Sequence, residues 1–387
     1  MLTQDGCRQR IANLWNRIPS DMKWMLIADA RHIQYLANFR PNPISFSADQ
    51  SSLLLLERNG PSTLLAVNFT RRTAVTAPFV DNEIIIPWYT HKQSVGNRDH
   101  ALIDALKECQ SVWSSSSGLI ETEAVPHLLS EVVTATATAS TTDQQTGESS
   151  TLGKIIRDLR RQKLPDEVEL LKACMQAGDA GHAAALDAAV AGNSELDVYL
   201  AVQAAAENAA GCPCVVYGDF RATNATQHKA GGLPTDYVLQ SGDLFIIDYS
   251  VIINGYRSDF TNTIAVGTPN AAQVKQFEAC RDAIAAAEAT LQPDVPCSEV
   301  YNAASAVFIQ NGFSALAHHC GHGLGMEHPE PPILVPESTD TLRAGDVITI
   351  EPGLYVEGVG GMRFEHNYLI TESGYERLSN HHVGLTR

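Results

Sequence analysis

The stretch Leu244 to Val266, LFIIDYSVIINGYRSDFTNTIAV, constrains this chain more than any other. Asn254-Gly255 stands between two runs rich in Ile, Val, Phe and Tyr. Such a pair is a strong hairpin signal, because a type I′ turn needs φ > 0 at both central residues. The turn sets the register: Asp248 faces Thr261 and Asp259 faces Ser250, which makes the two aspartates diagonal neighbours on one sheet face. A single acid in an apolar strand reads as an exposed face residue. Two acids sharing a site repel, and must be protonated, offset by a cation or bound to a metal.

At 387 residues the chain exceeds one ordinary core, and 44% hydrophobic residues suffice to bury two. Acidic residues outnumber basic ones 44 to 27, a net charge of −17 that argues against nucleic acid or an anionic membrane as partner. No apolar run reaches membrane-spanning length, and MLTQDGCRQRIANLWNRIP patterns as an amphipathic helix rather than a signal peptide. The expected location is the cytoplasm. Eight cysteines are scattered without zinc-type pairs or a dense framework. They read as reduced thiols, mostly in the core, including the closely spaced Cys212-Pro213-Cys214.

Residues 1–155 read as an α/β domain. Short apolar strands begin at Trp24, Ser52, Ser62, Glu83 and Gly118, and Arg98 to Gln110 has helical spacing. Val132 to Ala139, VVTATATA, alternates like an edge strand, and the polar stretch 140–150 reads as a surface insertion near the domain boundary. Residues 156–387 have an α+β order. A helix starts at Leu164-Pro165-Asp166-Glu167, and a second follows Ser194, whose Asp197 resembles the acid of a capping box. A strand from Cys214, the Asn254-Gly255 hairpin and two further helices, 271–291 and 298–311, come next.

The last segment repeats the chemistry of the hairpin. Asp346 to Val356 (DVITIEPGLYV), a glycine turn at 358–361 and Met362 to Thr371 (MRFEHNYLIT) form another hairpin, with Glu351 opposite Glu365. Four carboxylates on one sheet face are not stable unpaired. An oxygen-rich set with one imidazole suits two divalent ions such as Mn²⁺, Fe²⁺ or Co²⁺, with Zn²⁺ as an alternative, held roughly 3.5–4 Å apart. His322, between Gly321 and Gly323, is the candidate imidazole.

On IIDYSVIINGYRSDFTNT, GHGLG, TIEPGLY and GGMRFEHNYLIT the chain resembles the creatinase/aminopeptidase superfamily, whose members include methionine aminopeptidases, Xaa-Pro aminopeptidases and prolidases. The resemblance implies an α/β creatinase-like N-terminal domain over 1–155, followed by an α+β pita-bread catalytic domain over 156–387. It places the metal ligands on Asp248, Asp259, His322, Glu351 and Glu365, with Asp259 bridging both ions. IADARHIQYLANF is similar to the opening of the N-terminal domain in the proline-specific and creatinase branches. His228 stands close to a substrate-facing histidine of the family, His318 matches an extra histidine of Xaa-Pro enzymes, and Arg363 matches an arginine of that branch. One position departs: where the peptidases carry a histidine seven residues after the ligand His, this chain has Pro329, with His328 one residue earlier.

The resemblance implies a dinuclear Xaa-Pro peptidase, of aminopeptidase P or prolidase type, that hydrolyses the bond before proline in short peptides. Mn²⁺ is the expected metal and a homodimer the expected assembly. Glu351 would act as ligand and proton shuttle, His228 and His328 as hydrogen-bond donors to the reacting groups, and His318 with Arg363 as pocket residues. Two other readings are a metal-dependent small-molecule hydrolase or lyase on the same scaffold, and a non-catalytic binding relative. The second of these conflicts with the intact carboxylates.

Overall fold

The computed structural model describes residues 1–41, 52–92, 94–137 and 151–386. The chain divides into two units, Met1–Arg160 and Arg161–Arg387. Among the described residues no helix is long and apolar enough to cross a membrane.

The first unit holds, in chain order, α1 (Gln4–Arg17), β1 (Trp24–Ile27), α2 (Ala30–Ala37), β2 (Ser52–Glu57), β3 (Ser62–Val67), α3 (Asn68–Thr73), β4 (Asn82–Ile86), α4 (Arg98–Glu108), α5 (Gln110–Trp113), β5 (Gly118–Ile120), α6 (His127–Thr136) and α7 (Leu152–Arg160). Its strands form one sheet in the order β4-β3-β2-β1-β5. The pairing is antiparallel in the middle and parallel at both edges, as expected of an α/β unit whose apolar strands are covered by helices. Trp24, Leu53, Leu55 and Leu65 meet Leu102, Leu106 and Trp113 in its core.

The segment expected as an edge strand at 132–139 is helical as far as Thr136. Leu129 and Val133, four residues apart, are fully buried on one face of α6. The Thr134 and Thr136 hydroxyls donate back to the carbonyls of Ser130 and Val132, and Trp113 Nε1 donates to Thr136 Oγ1. Burial of a helical stripe outweighs the β propensity of Val and Thr, and the Thr hydroxyls find acceptors within the helix itself. Positions 138 and 139 and the polar insertion expected at 140–150 lie outside the described residues.

The second unit contains α8 (Pro165–Ala188), α9 (Glu195–Ala210), β6 (Val215–Thr223), β7 (Leu244–Ile253), β8 (Tyr256–Arg257), β9 (Phe260–Ala265), α10 (Ala271–Glu288), α11 (Cys297–Gln310), β10 (Gly321–Gly323), β11 (Glu330–Leu334), β12 (Val347–Ile350), β13 (Gly353–Val356), β14 (Gly360–Arg363), β15 (His366–Thr371) and β16 (Gly374–Arg377). The helix starts follow the sequence signals. Pro165 occupies the first turn of α8, where its missing N–H costs nothing, and Glu167 Oε2 accepts the Leu164 N–H at 2.9 Å. Ser194 and Asp197 exchange hydrogen bonds at the start of α9, and Asn270 and Gln273 do the same at α10.

Strand β7 pairs with β6 on one side and with β8 and β9 on the other, while β11-β10-β12-β15-β16 form a second sheet and β13-β14 a ribbon. Helix α8 lies close against the first sheet because Gly178 has no side chain. Its carbonyl accepts the Tyr249 hydroxyl at 2.6 Å, and a methyl group at this position would come within 2.0 Å of the Phe260 ring. Overpacking of this kind costs ~1–3 kcal/mol. Gly178→Ala is therefore expected to lower the urea midpoint by that order without changing the slope, measured by circular dichroism on metal-free protein.

Candidate metal centre

Both hairpins keep the predicted register. Asn254 and Gly255 have φ of 48° and 84°, Ile252 pairs with Arg257, and Asp248 pairs with Thr261. Between β8 and β9 the ladder is interrupted at Ser258-Asp259, where the Ser258 hydroxyl accepts the Val251 N–H at 2.9 Å. In the second hairpin Ile350 pairs with His366 and Gly353 with Arg363, so Glu351 and Glu365 face one another in a second interruption. Pro352 lies there and has no N–H to continue the ladder. Three of the four acids thus sit where the strands break, which frees their side chains from plain alternation.

The two hairpins are laced together at these breaks. Glu365 N–H donates to the Thr261 carbonyl at 2.9 Å, and the Thr261 hydroxyl donates to Glu365 Oε2 at 2.6 Å. Asn367, on β15, accepts the Asp259 N–H at 3.2 Å and donates to the Asp259 carbonyl. The Thr349 hydroxyl donates to Glu351 Oε1 at 3.1 Å.

Each candidate ligand then points to one place. Carboxylate oxygens of Asp248, Asp259 and Glu365 lie within 4.8 Å of one another, as do ligand atoms of His322, Glu351 and Glu365. His322 Nδ1 is 2.9 Å from the Gly323 carbonyl, which can only accept, so Nδ1 carries the proton. Its Nε2 lone pair faces Asp259 at 3.5 Å and Glu351 at 3.3 Å. A lone pair turned toward carboxylate oxygens, and a buried Glu365 Oε1 with no hydrogen-bond partner, are both resolved by divalent cations. The donor set of four carboxylates and one imidazole, with its imidazole fixed from behind by a carbonyl, fits them.

The electrostatics agree. Burial pushes the Asp248 carboxyl up to about 6 against the opposing pull of Arg363, and the neighbouring Asp259, Glu351 and Asp219 add to the rise. Burial and the fields of Asp259, Glu351 and Asp248 raise Glu365 well above the carboxylate range. Burial also opposes ionisation of Glu351, but the hydrogen bond from His319 and the fields of His322 and Arg363 hold it below the usual range. Arg363 is the main counter-charge: it pairs with Asp248, lies 3.5 Å from Asp219 and 3.9 Å from Glu351, and donates to the Tyr355 hydroxyl at 2.5 Å.

The remaining residues singled out from sequence divide into two groups. His328 reaches the centre, its Nε2 2.9 Å from Asp259 Oδ2, and it lines a cleft with Tyr217, Asp219, Asp248, Arg257 and Asp259. His318 stands behind, its Nδ1 2.8 Å from the His319 carbonyl, with burial lowering its pKa to about 4. Its neighbour His319 is the one that meets Glu351, at 3.1 Å. His228 is half-buried, its carbonyl beside Gly361, and it belongs to none of the acid–imidazole groups. Asp219, which pairs with Asp248 across β6–β7, is a further member that the sequence reading missed. Its signal lay in the length of the strand that follows Cys214: β6 runs Val215–Thr223 and so carries Asp219 opposite Asp248. His319 had a signal too: adjacent residues of an extended chain point opposite ways, so one of the His318-His319 pair faces the centre.

With this geometry established, residues 169–372 match the model of metallopeptidase family M24. The chain is 32% identical over 237 residues to a Xaa-Pro dipeptidase of Pyrococcus furiosus, covering 60% of this chain and 67% of that protein. It is 32% identical over 231 residues to a Xaa-Pro dipeptidase of Pyrococcus horikoshii, covering 58% and 64%. The match therefore spans about two thirds of the length of these curated relatives. The fold is similar to a prolidase from Pyrococcus horikoshii OT3, with a TM-score of 0.72 at 22% identity over 98% of this chain and 99% of that one. It is also similar to a zinc-substituted E. coli aminopeptidase P, with a TM-score of 0.76 at 15% identity over 97% and 95%. The pita-bread architecture expected from the motifs is thus the fold of this chain.

The pKa shifts fix the sign of a pH dependence. Burial holds His182 and His318 at about 4 and His366 at about 3, and pushes His381 well below the usual imidazole value. Unfolded, these groups take up protons below about 6.5, so each contributes stability that is lost as pH falls below that value. Asp248 and Glu365, raised by burial, contribute in the opposite sense: their share is present below about 4 and is lost as pH rises through the folded pKa. Four histidines outweigh two acids, so the stability of metal-free protein rises from about pH 5 to 6.5. Bound cations remove the acids' protons, and urea midpoints are expected to climb more steeply with metal than with EDTA.

Proposed function

This chain belongs to metallopeptidase family M24, and from that membership we propose that it is a Xaa-Pro peptidase that hydrolyses the bond before proline in short peptides. It is a metal-dependent enzyme of that family, and its identity to Xaa-Pro dipeptidases supports the substrate class. The observation that carries the reading is the position of His328. Although Pro329 occupies the place of the family histidine, the His328 imidazole stands 2.9 Å from Asp259 at the mouth of the cleft.

Asp248, Asp259, His322, Glu351 and Glu365 would hold two divalent ions. Such ions, when bound, lower the pKa of water toward neutrality and polarise a scissile carbonyl. Glu351 accepts the proton of the attacking water, and His319, whose hydrogen bond keeps Glu351 ionised, holds that carboxylate in place. His328 donates toward the developing oxyanion or the leaving nitrogen. Burial tends to deprotonate its imidazole, but Asp259 outweighs this and raises its pKa, which favours the donor form. Arg363, joined to Tyr355 and Asp248, offsets the charge of the pocket wall. His318 shapes the wall from behind, and His228 lies on the loop over Gly361 as a candidate substrate contact.

The oxygen-rich donors favour Mn²⁺, Fe²⁺ or Co²⁺ over Zn²⁺. Eight cysteines, none of them in a disulfide, suit the reducing cytoplasm. Family resemblance alone supports a homodimer, and also a creatinase-type domain over 1–155 ahead of the catalytic domain over 156–387.

Protein reconstituted with Mn²⁺ is expected to cleave an alanyl-proline dipeptide or a tripeptide with proline second, and EDTA to abolish the activity. Glu351→Gln and His328→Ala are each expected to lower kcat by about 10²–10⁴-fold, with His328→Ala retaining its metal by elemental analysis. Intact peptides alongside hydrolysis or elimination of a small molecule would move the chain to the other chemistry of this scaffold.

A further inference from the structure

A buried ion pair lies beside the centre and takes no part in the scheme above. Lys163 Nζ is 2.7 Å from Glu330 Oε1, and the two side chains are 1% and 5% exposed. The lysine side is firmly mounted. Lys163 Nζ donates to the Arg161 carbonyl at 3.2 Å, and Lys163 N–H donates to the Gly345 carbonyl at 2.8 Å. Arg161 in turn grips both oxygens of Asp346, at 2.8 and 2.9 Å, and Asp340 at 2.8 Å. Residues 161–163 are therefore fixed to the loop that precedes β12.

The glutamate side bears on the imidazoles. Glu330 opens β11 two residues after His328, and it is the register partner of Gly323, the neighbour of His322. At the end of the turn 324–329 and at the start of β11, Pro329, Pro331 and Pro332 have no N–H to donate, so the backbone on the C-terminal side of His328 offers few ladder bonds. The β10–β11 pairing is also irregular at this point, with a register shift between His322 and Gly323. The ion pair packs directly against the turn: a methyl at Gly325 would come within 2.3 Å of Glu330 Oε1 and 3.0 Å of Lys163 Cε. Main-chain ties hold the turn's first half as well: the Leu324 N–H donates to the Val347 carbonyl at 2.8 Å, and the Arg257 N–H donates to the Gly325 carbonyl at 3.0 Å.

A buried ion pair contributes little net stability over apolar residues of the same size, since desolvation offsets the attraction. What it supplies here is one fixed geometry beside the turn that carries His328, where the prolines that follow leave few backbone donors. We propose that Lys163 and Glu330 are positioning residues that hold the 324–329 turn so that the His328 imidazole meets Asp259 and the reacting carbonyl. The proposal rests on the reading of His328 as a hydrogen-bond donor in peptide hydrolysis. A displacement near 1 Å at such a donor costs up to about 10²-fold in rate.

The test replaces the pair with apolar residues of similar size, Lys163→Met with Glu330→Met, in the wild-type and His328→Ala backgrounds. Thermal unfolding verifies that each protein is folded. In the wild-type background kcat on alanyl-proline is expected to fall about 10–100-fold with KM changed less than about twofold, and in the His328→Ala background to fall less than about twofold further. An equal loss in both backgrounds, or no loss in either, overturns the proposal. A second readout needs no turnover. In Zn²⁺-loaded protein labelled with [¹⁵N]histidine, the His328 ring resonances, identified by their absence from His328→Ala, should shift and broaden in the pair variant while those of His322 stay in place. Unchanged His328 resonances overturn the proposal. Wild-type protein that cleaves no Xaa-Pro peptide counts against the peptidase reading alone, and the resonance measurement then decides the positioning role by itself.

Discussion

Repulsion among Asp248, Asp259, Glu351 and Glu365 is the constraint on which the second unit depends. Two ionised carboxylates about 4 Å apart repel by ~4 kcal/mol at the effective dielectric of a protein edge, and the three acids Asp248, Asp259 and Glu365 alone crowd within 4.8 Å. Arg363 brings a single positive charge against them. The fold answers the remainder with geometry. Thr261, Thr349 and Asn367 hold the acids or their peptide groups by hydrogen bonds, and the outer edges of both hairpins continue as ordinary ladders. The strain of like charge is thereby confined to one cavity that divalent cations can fill.

That confinement also explains why the ladders break where they do. Regular alternation would carry an acid at every second position to one face and leave the rest of the strand apolar. The interruptions at Ser258-Asp259 and at Pro352 let Asp259, Glu351 and Glu365 converge from three strand ends while Asp248 remains in a continuous strand. The surrounding wall is then built from residues far apart in sequence: Asp219 on β6, His319 before β10, His328 after it, and Arg363 on β14 with Tyr355. Each contacts a carboxylate or its counter-charge, so the wall is specified through the acids rather than independently of them.

Much of this was legible in the chain. Asn254-Gly255 and the glycines at 358–361 are turn chemistry with few alternatives, and once the turns are placed the pairing of Asp248 with Thr261 and of Glu351 with Glu365 follows by counting. Helix starts at Pro165 and Ser194 were equally local, because a cap satisfies N–H groups only a few residues away. The pattern misled where two structures share it. Val132 to Thr136 alternates as a strand does, but Leu129 and Val133 are buried on one helical stripe and the Thr hydroxyls bond within the helix. The family pattern pointed to His318, and which of His318 and His319 meets Glu351 was not legible, since side-chain direction depends on how the chain crosses the sheet; it is His319.

By itself, then, the sequence determined the two hairpins, their acids and the need for a cation, because turn geometry and like-charge repulsion act over short separations or between residues whose register is set by a turn. The tertiary structure alone decided which wall residues reach that centre. His328 stands one residue off the family position, and it meets Asp259 where the turn after Gly323 is folded back between the Glu330–Lys163 pair and Arg257. Lys163 and Glu330 are 167 residues apart. No local pattern joins them; the docking of residues 161–163 onto the loop before β12 brings the pair together.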